Sequence, residues 1–139
     1  MTAVQRIQQR LWAYVYPFFP HVERLARSLR FSGRQPFLLG RLHPERSLNE
    51  LQHHLCEERG FEHAVLAWVD DGQVLSLRKC ISFEHQYHIR VFEDGEMRGH
   101  FEYTPEAAPM KHILGVGREK RSDDFCRLLE GYLHERSDG

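Results

Sequence analysis

No run of apolar residues in the chain approaches the roughly twenty that a membrane-spanning helix needs. The longest, LWAYVYPFFP at positions 11–20, spans ten residues and contains two prolines. A membrane span is therefore not expected. A secretory signal is not expected either, because Arg6 and Arg10 precede an aromatic, proline-broken stretch without a small-residue cleavage site. Cysteine is scarce: Cys56, Cys80 and Cys126 are odd in number, far apart and without metal-ligand spacing. They support neither a disulfide framework nor a zinc module, and a reducing cytoplasm is the expected compartment. There is no internal repeat, no low-complexity tract and no linker.

What is present is an ordinary globular composition, 41% hydrophobic and 28% charged over 139 residues. That fits one domain over 1–139, with disorder expected only at the ends, chiefly 137–139. The net charge of −1 hides an asymmetry. Residues 1–46 hold eight arginines against two glutamates, a balance of +6, while the remainder carries eleven basic and eighteen acidic residues, a balance of −7. A basic block of this kind can face acidic groups of its own fold or an anionic partner.

Apolar residues at Val4, Ile7, Leu11 and Val15 predict an amphipathic helix ending before Pro17. A second helix follows Pro20, with Val22, Leu25, Ala26 and Leu29 inside. Its Arg24, Arg27 and Arg30, with Arg34 beyond, make a basic helix over 21–34 suited to phosphates or to an acidic protein surface. A short strand at 36–42 carries Gly40 as an expected bulge. Ser47 and Glu50 form a capping box for a helix over 48–59, which Gly60 closes. Strands at 62–69 and 73–81 flank an Asp71-Gly72 turn, a register that pairs Leu66 with Leu77. Thr104 caps a short helical turn interrupted by Pro109, the GVGREKR stretch at 115–121 is a loop, and a last helix opens at Ser122. The element order ααβαββββα implies an α+β fold, mainly an antiparallel meander of about five strands packed with N-terminal, central and C-terminal helices.

The hairpin QYHIRVFEDGEMRGHFEY at 86–103 carries the functional signal. A three-residue Glu93-Asp94-Gly95 loop, with Gly95 in the left-handed conformation, sets Val91 against Met97, Ile89 against Gly99 and Tyr87 against Phe101. The apolar side chains then gather on one face. The other face has Gln86 opposite Glu102, His88 opposite His100 and Arg90 opposite Arg98.

Like charges directly opposed destabilise a sheet, so the arginine pair calls for a compensating anion, internal or external. Guanidinium groups side by side bind phosphate. Arg90, Arg98, His88, His100 and Glu102 are therefore the expected site for a phosphate-bearing anion such as a nucleic acid or nucleotide. A protein-interaction module built on the basic helix is the alternative. A metal-independent phosphodiesterase or ribonuclease, with His88 and His100 as acid and base, is the second alternative. His88, His100 and Glu102 also form a two-imidazole, one-carboxylate set, but the adjoining Arg90 and Arg98 oppose a cation, so neither a metal nor another cofactor is expected. Glu50, His54 and Glu58 share a helix face as ordinary i to i+4 partners. His112 is placed to cap the short helix, or else to complete the hairpin site from its loop.

Overall fold

The computed structural model describes residues 37–64 and 70–134, together with Ala3, Arg6, Ile7 and Arg10. Those four have helical backbone, in line with the first expected helix, although Ile7 of its apolar stripe is exposed. The basic helix at 21–34, most of the 62–69 strand and the tail at 137–139 lie outside the described residues.

The elements in chain order are β1 (Leu38–Leu42), α1 (Leu48–His53) running into a π-helical turn (His54–Glu58), β2 (Glu62–His63), β3 (Gln73–Cys80), β4 (His85–Phe92), β5 (Glu96–Tyr103), α2 (Pro109–Leu114), α3 (Ser122–Leu128) and β6 (Leu133–His134). The strands form one six-stranded sheet in the order β2-β3-β4-β5-β1-β6. The α+β reading and the meander of consecutive strands hold. β1 joins at the far side of β5, and its register shifts between Leu38 and Gly40, the bulge expected at that glycine.

Local chemistry accounts for most boundaries. Ser47 Oγ accepts a hydrogen bond from the Glu50 amide at 3.1 Å, which begins α1. The final turn widens because the Arg59 amide donates to the His54 carbonyl, five residues back, and Gly60 then leaves with φ 76°. The helix expected from Ser122 stops at Leu128, and the chain turns at positive-φ Gly131 so that Leu133 and His134 pair with β1. The sixth strand therefore comes from residues read as helical.

One register differs. Glu62 faces Arg78 and His63 faces Leu77, where Leu66 was expected opposite Leu77. The Asp70–Gln73 turn itself is kept, with the Gln73 amide donating to the Asp70 carbonyl at 3.1 Å. Seven positions separate His63 from Asp70 but only four separate Gln73 from Leu77, so the first arm holds three extra residues. Asp70, at this turn, pairs with Arg90 on the sheet's polar face.

The apolar face holds Leu75 and Leu77 of β3, Ile89 and Val91 of β4 and Met97 of β5, all buried under Leu51 and Leu55 of the α1 segment and Phe125 and Leu129 of the α3 segment. Each such side chain contributes about 1.5–3 kcal/mol by leaving water. Gly99 sits where the layers come closest: a Cβ there would stand 2.8 Å from the His88 carbonyl oxygen and 3.1 Å from the Phe125 ring.

Candidate functional site

The β4–β5 hairpin adopts the expected register. His85 pairs with Tyr103, Gln86 with Glu102, His88 with His100, Arg90 with Arg98 and Val91 with Met97, closed by Gly95 at φ 84°. Strand alternation therefore does gather Gln86, His88, Arg90, Arg98, His100 and Glu102 on the face opposite the core. That face is closed. Gln86, His88, Arg90, His100 and Glu102 are all buried, and Arg98 is half-buried.

The opposed arginines are compensated from within. Arg90 donates to Asp70 Oδ2 at 2.8 Å in a buried pair, and Arg98 Nε pairs with the Glu96 carboxylate. Each guanidinium has its own acid, which removes the penalty of facing like charges across the ladder.

Glu102 is the centre of the face. Gln86 Nε2 donates to Oε1 at 3.0 Å, and His88 Nδ1 lies 3.4 Å from the same oxygen. Around Oε2 stand His100 Nε2 at 2.9 Å, Arg118 Nε at 3.4 Å and His112 Nδ1 at 3.5 Å. His88 Nε2 is held on its far side by Ser76 Oγ at 2.8 Å, and the two imidazoles meet edge to face with centroids 5.5 Å apart.

His112 and Arg118 arrive from the segment after β5. His112 Nδ1 also contacts the Tyr103 carbonyl oxygen at 2.9 Å. The chain reverses through Gly115 and Gly117, both at positive φ, and is pinned to β5 by paired bonds between the backbones of Glu119 and Phe101 at 2.8 and 2.9 Å. The C-terminus of α2 is capped by left-handed Gly115, whose amide donates to the His112 carbonyl. The capping role expected of the His112 side chain is thus filled by a glycine, and His112 turns inward.

Burial decides the protonation of the imidazoles. It pushes His88 down to about 3, with Arg90 adding to the effect and Glu102 opposing it. Burial lowers His100 as well, against the pull of Glu102. For Glu102 burial favours the neutral acid, but the donors around it, His100 and His112 foremost, outweigh this and hold the carboxyl well below its ordinary range. At neutral pH the centre is one carboxylate facing two uncharged imidazoles.

Several atoms of this cluster are buried without a well-directed hydrogen bond: His88 Nδ1, His100 Nε2, Glu102 Oε2, Arg118 Nε and Arg90 Nε. Buried polar atoms are nearly always satisfied, so a group of them converging on one point is informative. The ligand atoms of His88, His100 and Glu102 all lie within 4.8 Å of one another. Ser76 Oγ on Nε2 holds the ring of His88 so that Nδ1 is the nitrogen turned to the centre.

Away from the centre, His54 is a structural residue: its nitrogens meet Glu58 Oε2 at 2.6 Å and the Leu128 carbonyl oxygen at 3.0 Å, and its ring stacks on Tyr132. Among the described residues no helix is long and apolar enough to cross a membrane. No protein-family model, curated protein or solved structure matches this chain.

Proposed function

We propose that this protein binds a divalent first-row transition metal ion, zinc or iron(II), through His88 Nδ1, His100 Nε2 and the Glu102 carboxylate. The observation that carries the reading is the convergence of these three ligand groups in one buried place, where both imidazoles close on the same carboxylate. Bonds of about 2.1 Å at angles of 90–110° require ligand atoms about 3.0–3.4 Å apart. His88 Nδ1 lies 3.4 Å from Oε1 and His100 Nε2 2.9 Å from Oε2, with all the ligand atoms within 4.8 Å of one another, so small side-chain shifts bring the set to that spacing. Two imidazoles and a carboxylate suit these ions, and Ser76 on the outer nitrogen of His88 is the kind of partner that orients a ligand. The objection raised by Arg90 and Arg98 loses its force once Asp70 and Glu96 offset them. Free thiols at Cys56, Cys80 and Cys126 support a reducing, cytoplasmic setting.

The test is metal uptake by chelator-treated protein, read by calorimetry with zinc and by optical absorption with cobalt(II). One equivalent is expected to bind, and His100→Ala is expected to weaken binding at least tenfold with the circular dichroism of the sheet retained. Folded protein that takes up neither zinc, cobalt nor iron(II) would overturn the reading.

Phosphate-type anion binding on the same hairpin is the second reading, favoured by the unpartnered Nε of Arg90. It ranks below metal binding because both hairpin arginines already have carboxylate partners. Hydrolysis by a histidine acid–base pair ranks lower still, since burial disfavours the imidazolium form of both rings that the acid role calls for. Interaction with an acidic protein through Arg24, Arg27, Arg30 and Arg34 rests on the sequence alone.

A further inference from the structure

Three protein ligands leave a first-row ion with open coordination positions. What fills them follows from the charges nearby. The imidazoles bind as neutral ligands, Glu102 supplies one negative charge, and Arg118, 3.4 Å from Glu102 Oε2, supplies one positive charge. Arg90 and Arg98 are offset by Asp70 and Glu96. Counted over the described residues, a divalent ion placed here leaves a net charge of about +2 in a largely buried site, which is expensive unless a negative ligand accompanies the ion.

Arg118 is built to meet such a ligand. Its Nε is buried without a well-directed hydrogen bond, while the side chain as a whole is 20% exposed, against 1% for Glu102. It therefore bridges the centre and the solvent. One terminal nitrogen donates to the His112 carbonyl at 3.2 Å, and the guanidinium lies against Gly115, where a Cβ would stand 3.0 Å from NH1. Arg90 has a second buried, unpartnered Nε, and Arg118 opposes its charge, so the two guanidiniums are within electrostatic reach of each other.

We infer that the open metal positions take an oxyanion, a carboxylate or a phosphate group, with one oxygen on the metal and another accepting a hydrogen bond from Arg118. This rests on the metal reading above. Entry is from the Arg118 side, the most exposed member of the centre. The guanidinium is paired with Glu102; once that carboxylate serves a metal, an anion between Arg118 and the ion restores a partner to the arginine.

Cobalt(II)-loaded protein provides the test, because the ligand-field absorption reports a change of ligand directly. Inorganic phosphate is added in one arm and acetate in the other. A saturable spectral change in at least one arm is expected, absent from metal-free protein, and the responding arm identifies the class of oxyanion. Arg118→Met should raise the half-saturating anion concentration at least tenfold, with Arg118→Lys intermediate; the second variant guards against misfolding of the first. A cobalt-loaded protein whose spectrum ignores both anions would overturn the inference and leave the metal reading standing. An unchanged anion response in Arg118→Met would do the same. Failure of cobalt uptake would remove both.

Discussion

His100 Nε2 lies 2.9 Å from Glu102 Oε2, two positions along the same strand, while the backbone partner of His100 across the ladder, His88, meets the other oxygen of that carboxylate at 3.4 Å. One carboxylate is thereby shared by two imidazoles on neighbouring strands. Residues i and i+2 on a strand share a face, and a directly opposed residue completes the triangle. The hairpin register alone creates this grouping.

Replacing Glu102 should be the most damaging single change on the polar face. Glu102→Ala leaves the Gln86 amide and the His100 ring without their acceptor and Arg118 without its anion. Removing one partner from a buried charged cluster costs about 3–5 kcal/mol. Urea unfolding should show a loss of this size, together with loss of metal uptake; Glu102→Gln should recover part of the stability through its hydrogen bonds and none of the charge.

Metal-free protein should be sensitive to mild acid. An unfolded histidine titrates near 6.5, whereas folded His88 is pushed down to about 3 and His100 is lowered too. Between those values the unfolded chain binds more protons, so stability is full above about pH 6.5 and declines as pH falls. Glu102, lowered in the folded state, adds a loss in the same direction below its ordinary 4.5. The urea midpoint should fall from pH 7.5 to 5, and a midpoint that stays level across that range would contradict the burial of these rings.

Ser76→Ala tests the orientation of His88. The hydroxyl lies on the outer imidazole nitrogen at 2.8 Å and touches none of the proposed ligand atoms. Its loss frees the tautomer, and outer partners of this kind are worth about 10–100-fold in metal affinity. Zinc calorimetry should show a drop in that range, with a loss of about 1–3 kcal/mol of stability because the buried outer nitrogen of His88 loses its partner.

Gly99→Ala should destabilise the fold by about 1–3 kcal/mol through overpacking. The added methyl would stand 2.8 Å from a backbone oxygen of β4 and 3.0 Å from Leu39. The backbone cannot retreat without disturbing the His88–His100 pair, so thermal unfolding and metal affinity should fall together.

The hairpin was legible because local rules agreed on it: Asp94-Gly95 at the turn, apolar alternation along both strands, and a bulged loop that alone put Val91 with Met97. The capping box at Ser47 was legible for the same reason. What covers the polar face was not. Asp70 meets Arg90 from twenty positions away in the sequence, and nothing in the spacing of the two marks that contact. Arg118 and His112 arrive through a loop whose course depends on Gly115, Gly117 and the Glu119 bridge to Phe101. Such contacts join residues distant in sequence, and propensity and periodicity act over much shorter ranges. The opposed arginines were read as needing an anion, internal or external; Asp70 and Glu96 are the internal ones, and Glu96, only two positions from Arg98, could not be chosen over an external anion from spacing alone.

In the sheet order β2-β3-β4-β5-β1-β6, the strands bearing His88, His100 and Glu102 occupy the two middle places. Fraying begins at the rims of a sheet, so the amides of these strands should exchange their hydrogens only when the whole layer comes apart. Exchange at the proposed metal centre would then have to run through side-chain motion, and Arg118, one-fifth exposed, is where such motion meets water.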